Sequence, residues 1–193
     1  MIKTAKDLKY YMECDKKALD IPGSRKSPRP ILDNIWKYEI LLRKCEYYNN
    51  SKRTLLHKIL YAFYHLRRRM LGQKLGYTIG MNVFGPGLGL AHYGTIVING
   101  NARFGKNCRV HQGVTVGSTN GSTEAPQVGD NCFLGSGCSV IGNIKLGNNV
   151  AVGAGAVVVN TFDEDNITLG GVPAKVISKK GSHENLSFLD IEL

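Results

Sequence analysis

The chain has 193 residues, a formal net charge of +10 and five cysteines, which allows one domain with an appendage. No apolar run reaches the roughly 18 residues of a membrane span, and the charged residues 1–17 do not resemble a secretion signal, so we expect a cytoplasmic protein with reduced thiols and no membrane span. No nucleic-acid-binding motif accompanies the positive charge, which favours a multiply phosphorylated small molecule over nucleic acid as the anionic partner.

Residues 1–76 predict a helical region with three helices. A capping box formed by Thr4 and Asp7 opens the first helix, and the second stops near residues 49–50. Ser51 is a candidate cap for the third helix, whose broad apolar face is expected to pack on something. The apolar residues of this third helix are Leu55, Leu56, Ile59, Leu60, Phe63, Leu66 and Met70.

Residues 77–178 are dominated by a repeat of six residues. Its clearest stretch has an aliphatic residue at every sixth position, namely Val128, Leu134, Val140, Leu146, Val152 and Val158. Neither a helix nor a flat strand has this period, whereas a coil with three flat sides and two inward side chains per side does. We therefore predict a mainly β fold, a left-handed parallel β-helix of hexapeptide repeats with an N-terminal α-helical cap. Residues 179–193 leave the repeat and predict a loosely held C-terminal tail.

Residues 117–127 interrupt the repeat, because they lack the aliphatic content of a coil. They predict a loop that projects from the β-helix, and loops on a rigid scaffold commonly carry function. A β-helix with flat sides has little internal cavity, so we expect its sites on the outer surface or between subunits. Flat faces also favour closed cyclic packing, which predicts a homotrimer or a trimer-based oligomer.

Several segments within residues 77–178 together resemble the hexapeptide-repeat acyltransferases, and most closely the serine acetyltransferase family. The most specific are a glycine-rich segment that ends in a histidine, a Gly-Val-Thr-Val-Gly segment and a Gly-Val-Pro-Ala segment. The matching residues are 85–94, 112–117, 142–144, 153–155 and 171–174.

The resemblance implies a direct transfer in which a histidine deprotonates the acceptor hydroxyl, which then attacks the thioester of acetyl-CoA. The matching histidine is His92, and a neutral imidazole is a suitable base at physiological pH. His111 is the alternative base. The inward cysteines of the β-helix disfavour an acylated thiolate, and the mechanism requires no metal.

The resemblance also implies a slot for acetyl-CoA, the co-substrate. Small residues that match the backbone positions beside the pantetheine arm are Gly117, Thr119, Ser136 and Ala154. Small side chains there allow a ligand to approach the backbone closely. Lys175 and Lys179, which follow the Gly-Val-Pro-Ala segment, are candidates for binding the phosphates.

Three departures from the family concern the acceptor. Tyr77 stands where the family has the aspartate that orients the histidine, and Ala91 stands where an aspartate helps to hold the serine ammonium. The loop offers Glu124 and Ala125 where an Arg-His pair normally holds the serine carboxylate. A site for a zwitterion needs counter-charges, because unpaired buried charges cost several kcal/mol.

We therefore expect an O-acetyltransferase that acts on a small hydroxyl-bearing acceptor, with a sugar of a surface polysaccharide favoured. The residues predicted to contact the acceptor are Tyr77, Asn82, Tyr93 and Glu124. One alternative is an L-serine O-acetyltransferase of cysteine biosynthesis. A second alternative is a non-catalytic assembly protein on the same β-helix scaffold, since fold alone does not determine function.

Overall fold

The computed structural model describes residues 1–51 and 54–186 and places a helical cap ahead of a series of short strands. The helices are α1 (Ala5–Ala18), α2 (Asn34–Asn50) and α3 (Leu55–Leu75), and a short 3-10 helix covers His183–Asn185. The predicted capping box of α1 is present, because the Thr4 hydroxyl accepts from the Asp7 amide and the Asp7 carboxylate accepts from the Thr4 amide. Thr54, not Ser51, caps α3, and Ser51 instead ends α2.

The strands form three sheets. Sheet 1 contains β1 (Tyr77–Ile79), β3 (Ile96–Ile98), β6 (Thr115–Gly117), β9 (Ser139–Ile141) and β12 (Val157–Val158). Sheet 2 contains β4 (Arg103–Phe104), β7 (Gln127–Val128) and β10 (Lys145–Leu146). Sheet 3 contains β2 (Leu88–Leu90), β5 (Cys108–Val110), β8 (Phe133–Leu134), β11 (Ala151–Val152), β13 (Thr168–Gly170) and β14 (Lys175–Ser178). All neighbours pair in parallel except β14, which is antiparallel to β13.

The chain passes through the three sheets in turn, so that three short strands make one coil and the coils stack by parallel pairing. Equivalent repeat positions lie directly above one another: Val110 pairs with Leu134, and Leu134 pairs with Val152. These side chains fill the interior and are fully buried, as are the thiols of Cys108 and Cys138. Parallel sheets with N-terminal helices are therefore present, as the repeat predicts.

The edge between sheets 2 and 3 is held by a ladder of asparagines. Each side chain donates to the amide oxygen of the next at 2.9 to 3.1 Å, and the members are Asn107, Asn131, Asn149 and Asn166. All four have φ between 54° and 59°, a left-handed conformation that asparagine tolerates better than most residues. This asparagine edge gives the coils a sharp, regular turn.

Buried charged residues of the helical cap bond to the open backbone of the first coil, where no earlier coil exists. Carboxylates accept from backbone amides: Asp15 from Gly87 and Leu88, Glu39 from Leu90, and Glu46 from Asn82. Guanidinium groups donate to carbonyls: Arg43 to Phe84 and Gly85, and Arg68 to Ile79. The cap therefore protects an edge that would otherwise present unpaired backbone groups.

The described residues bear on two expectations about packing. The large apolar side chains on one face of α3 are exposed among these residues, so the expected packing of this face stays a prediction. The C-terminal tail is not loose throughout, because Ser182 bonds to the carbonyl of Asn131 and Leu186 is buried against Ala18 and Phe133. The last part of the predicted tail, residues 187–193, lies outside the described residues.

Across the described ranges, none of the helices has both the length and the apolar character of a bilayer span.

Candidate active site

The edge between sheets 3 and 1 brings His92 into line with other predicted site residues. Because Leu90, Val110, Leu134 and Val152 pair in register, the residues two positions after each of them also stack along this edge. Successive coils lie about 4.8 Å apart. We call this column the histidine edge, and its members are His92, Gln112, Ser136 and Ala154.

His111 lies beside the histidine edge and contacts His92. Their ring centroids are 5.3 Å apart with the planes at 88°, and the other side of the His111 ring packs edge to face on Phe133 at 4.9 Å. The hydroxyl of Ser136 is 3.4 Å from Nδ1 of His111. His92 is exposed, whereas His111 is half-buried. The structure therefore brings together both candidate bases and one predicted acetyl-CoA contact.

The pKa of His111 lies below its ordinary value. Burial is the largest cause, followed by the positive charges of His92 and Arg109. Each of these causes disfavours the imidazolium form, so His111 is neutral at physiological pH. His92 is the more accessible of the two rings and is better placed to meet a substrate from solvent.

Tyr77 supports the His92 segment from inside. Its hydroxyl donates to the backbone carbonyl of His92 at 2.7 Å, and its ring packs against Tyr38 with centroids 5.1 Å apart. Burial, followed by the nearby charge of Glu39, raises the pKa of Tyr77, so the hydroxyl stays protonated and remains a donor. Tyr77 is buried, so a role in positioning His92 replaces the predicted contact with the acceptor.

The imidazole of His92 has no carboxylate partner. Among the residues that the structure describes, no Asp or Glu oxygen lies within hydrogen-bonding distance of the ring. Glu124 lies on another edge of the same chain, where its Oε2 accepts from Nδ2 of Asn143 at 2.6 Å.

The surface beside the histidine edge has room for a long ligand. A Cβ atom placed on Gly137 or Gly155 would meet nothing within 4 Å, so the backbone there is open. Oε1 of Gln112 is buried and has no hydrogen-bond partner. An open backbone beside an unpartnered amide oxygen fits the amide-bearing pantetheine arm of acetyl-CoA, so these residues are compatible with the predicted slot.

Three more of the predicted contacts, Gly117, Thr119 and Glu124, lie at the edge between sheets 1 and 2, whose loop (residues 118–126) we call the loop edge. Thr119 and Glu124 are exposed in this loop, and the carbonyl of Gly117 at its base accepts from the Gly142 amide at 2.8 Å. The histidine edge and the loop edge border opposite sides of sheet 1. One chain alone therefore does not bring the two groups together.

Asn82 does not face the histidine edge. Its backbone amide donates to Glu46, and its side chain exchanges two hydrogen bonds with Asn50 at 2.7 and 3.1 Å. These bonds join the cap to the first coil, and contact of Asn82 with the acceptor stays a prediction. Tyr93 is exposed next to His92, and its hydroxyl donates to the carbonyl of Leu32 at 3.4 Å.

The two predicted phosphate ligands lie at the C-terminal end of the coils. Lys175 is exposed and pairs with Gly170, whose strand stacks below the Ala154 coil. Lys179 forms an exposed ion pair with Glu164, so its charge already has a partner. Lys175 is therefore the more available cation.

An ion pair beside His111 was not anticipated from the sequence. Arg109, on the outer face of β5, is 3.2 Å from the carboxylate of Asp20, which follows α1. The pair is partly exposed and presents one charge of each sign near the histidine edge. The six-residue repeat indicates that Arg109 points outward from its strand. The repeat gives no indication that Asp20, which follows α1, lies beside Arg109.

Comparisons with known proteins converge on one enzyme class. Residues 125–160 match the family described as bacterial transferase hexapeptide (six repeats). A serine acetyltransferase of Synechococcus elongatus is 35% identical over 121 residues, which are 61% of this chain and 47% of that protein. The chain thus spans about half the length of that curated relative.

Solved structures agree with this result. Serine acetyltransferase of Neisseria gonorrhoeae in complex with serine is 27% identical, with a TM-score of 0.64 over 88% of this chain and 69% of that one. The enzyme of Brucella abortus in complex with coenzyme A is 21% identical, with a TM-score of 0.66 over 92% and 68% of the two chains. At that lower identity the likeness supports the fold alone.

Proposed function

We propose that this chain is an acetyl-CoA-dependent O-acetyltransferase. The comparisons confirm its predicted resemblance to the hexapeptide-repeat acyltransferases and to the serine acetyltransferases. The observation that carries the proposal is the exposed imidazole of His92, which tops the histidine edge beside the open backbone at Gly137 and Gly155. The same resemblance supports a left-handed sense for the coils.

His92 serves as the general base in this proposal. Its imidazole accepts the proton of the acceptor hydroxyl as the oxygen attacks the acetyl carbon, and then returns that proton to the departing sulfur. General base catalysis of this kind contributes about 10²–10⁴-fold. Tyr77 holds the backbone at His92, and the neutral His111 ring limits the directions in which the His92 ring can turn.

Acetyl-CoA supplies the activated acetyl thioester. Ser136 and Ala154 line the path of its arm, and Lys175 meets the phosphates. The lowest part of the histidine edge and Lys175 lie near each other, so one extended ligand can span them.

We further propose a homotrimer whose sites lie between copies. The histidine edge and the loop edge border opposite sides of sheet 1, so cyclic packing on that sheet sets the histidine edge of one copy beside the loop edge of the next. Gly117, Thr119 and Glu124 of the neighbouring copy then form the second wall of the slot. This arrangement accounts for the separation of the predicted site residues within one chain.

L-Serine is the acceptor that the comparisons favour, and the sugar acceptor expected from the sequence receives no support from them. The counter-charges missing from the loop have substitutes elsewhere. Arg109 is placed to pair with the serine carboxylate and Asp20 with its ammonium group, because their mutual ion pair lies beside His111. Each partly exposed charge can exchange its protein partner for one on the ligand.

The test is release of free CoA thiol from acetyl-CoA in the presence of separate acceptors. We expect kcat/KM for L-serine to exceed that for free sugars and nucleotide sugars. A higher kcat/KM for a sugar would support acetyl transfer but would show that L-serine is not the preferred acceptor. Absence of thiol release with every acceptor would favour the non-catalytic assembly protein.

A further inference from the structure

Helix α3 exposes a row of large apolar side chains that nothing among residues 1–51 and 54–186 covers. Each member is at least half exposed, and the values are Leu55 75%, Leu56 62%, Ile59 57%, Phe63 51%, Leu66 60% and Met70 52%. At about 100° per residue these six positions fall within an arc of roughly 100°, so they form one continuous apolar stripe. Contiguous exposed apolar surface of this kind marks an interaction site.

The stripe is distinct from the face by which α3 packs on the protein. The buried residues of the helix are Arg68, Gly72 and Leu75, and Gly72 lies against the Tyr77 carbonyl and the Tyr38 ring. The helix is therefore held in place without the stripe. The packed residues lie in the C-terminal part of the helix, on a face other than that of the stripe.

The charges around the stripe have a single sign. Helix α3 contains no Asp or Glu, and its cations are Lys58, Arg67, Arg68, Arg69 and Lys74. All but Arg68 are exposed. On the helical wheel Arg67 and Lys74 flank one side of the stripe, whereas Lys58 and Arg69 flank the other. The guanidinium of Arg67 lies over the Phe63 ring at 5.6 Å from its centroid.

A cationic groove extends the stripe toward α2. The groove has a volume of about 330 Å³ and begins at Met70, which belongs to both features. Its apolar floor includes Ile40, Leu41 and Leu71, and its polar rim includes Lys37, Arg67 and Lys74. The groove has no acidic residue in its lining, so apolar surface and positive charge continue together from the stripe onto α2.

A second copy of α3 fits this surface poorly. Spacings of three and four residues from Leu56 to Met70 would suit a coiled-coil seam. However, paired α3 helices would place Lys and Arg beside Lys and Arg, with no carboxylate to balance them. Like charges beside a helix seam oppose pairing, which leaves an anionic partner as the better complement.

We propose that the α3 stripe and its groove bind an anionic lipid surface, with the helix lying parallel to the membrane plane. Leu, Ile, Phe and Met side chains enter the boundary between headgroups and acyl chains, while the flanking cations meet lipid phosphates. An amphipathic helix with basic flanks and an apolar face is typical of this mode of binding. The protein is thereby held at the membrane surface without crossing it.

The experiment is co-sedimentation of the full chain with vesicles at low ionic strength. Vesicles of equal parts phosphatidylcholine and phosphatidylglycerol are expected to bind at least about tenfold more tightly than vesicles of phosphatidylcholine alone, and added salt is expected to weaken the binding. Leu66→Gln removes an apolar group from the centre of the stripe and is expected to lower binding at least about fivefold. Ile177→Gln, at a comparably exposed site in β14 of sheet 3, is the matched control and is expected to bind like the wild type.

Two results would overturn the proposal. One is equal binding to anionic and neutral vesicles, or binding to neither. The other is a lower molecular mass of Leu66→Gln than of the wild type by light scattering, which would show that another copy covers the stripe. Circular dichroism confirms that the variant is folded, and thiol release from acetyl-CoA without vesicles reports separately on the proposed function.

Discussion

The rings of His92 and His111 meet edge to face, with centroids 5.3 Å apart, at the border of sheets 3 and 1. Burial, followed by the charges of His92 and Arg109, lowers the pKa of His111. The two imidazoles therefore differ in role. The exposed His92 is available to take up a proton, whereas His111 remains neutral and supports it.

The first prediction concerns the assembly of the site from two copies. His92→Ala removes the base from the histidine edge, and Thr119→Trp fills the slot from the loop edge. Each variant alone is expected to be inactive, but mixed oligomers refolded from both should regain part of the wild-type rate, because some interfaces combine an intact histidine edge with an intact loop edge. The measurement is thiol release after mixing.

Thr123→Trp, at an exposed site of the same loop, is the control and should remain active. Failure of the mixture to regain activity, although mixed oligomers are present, would show that each site belongs to one copy.

The second prediction concerns acceptor recognition. Arg109→Gln removes the cation proposed to meet the serine carboxylate, so KM for L-serine is expected to rise about tenfold or more while kcat changes little. KM for acetyl-CoA should not change. Arg103→Gln, on the exposed face of sheet 2, is the control. An unaltered KM for L-serine in Arg109→Gln would show that Arg109 does not bind the serine carboxylate.

The third prediction concerns Glu39, whose Oε1 accepts from the Leu90 amide while Oε2 has no partner. Burial, followed by the charge of Asp15, raises the pKa of Glu39 well above its ordinary value. Because the folded pKa is raised, folding takes up a proton. The resulting stability is fully present below the unfolded pKa of about 4.3 and is lost as pH rises through the folded value.

Glu39→Gln keeps the acceptor for Leu90 and needs no proton. Its Tm should therefore fall less than that of the wild type when pH is raised from about 5 to about 8. Glu46→Gln is the contrasting variant, because Glu46 is ion-paired with Arg43 at 3.0 Å and its neutralisation should destabilise the protein. If the Tm of Glu39→Gln and the Tm of the wild type changed equally with pH, the proposal of a buried neutral carboxyl at Glu39 would be contradicted.

The fourth prediction concerns Arg43, which is fully buried and joins Asp15 at 2.6 Å and Glu46 at 3.0 Å. Arg43→Met leaves two buried carboxylates without a counter-charge and two carbonyls of the first coil without a donor. The free energy of unfolding should fall by about 3–5 kcal/mol. Denaturant unfolding measures the change, and a loss below about 1 kcal/mol would show that the network relaxes around the substitution.

Much of the β-helix could be predicted from sequence because every coil has the same requirement for buried side chains. Two inward side chains per flat side must be apolar, so residues such as Val140 and Val152 recur at six-residue steps regardless of what lies around them. His92 was singled out by the resemblance of its segment to the acyltransferase family, and its role as the base stays a prediction.

The cap was less predictable, because its decisive contacts join residues far apart in sequence. Asp15 and Glu39 look like ordinary charges of amphipathic helices, yet they accept from backbone amides of the first coil. The same holds for Tyr77, which matches a family aspartate in position but directs its hydroxyl to a carbonyl. Periodicity reports which residues face inward and says nothing about such pairings.

The direct test of the central claim is the rate of CoA thiol release with saturating acetyl-CoA and L-serine in the wild type, His92→Ala and His111→Asn. We predict that His92→Ala lowers kcat at least about a hundredfold with little change in acetyl-CoA affinity, and that His111→Asn has a milder effect. Equal and small effects of the two substitutions would contradict His92 as the general base and with it the proposed mechanism.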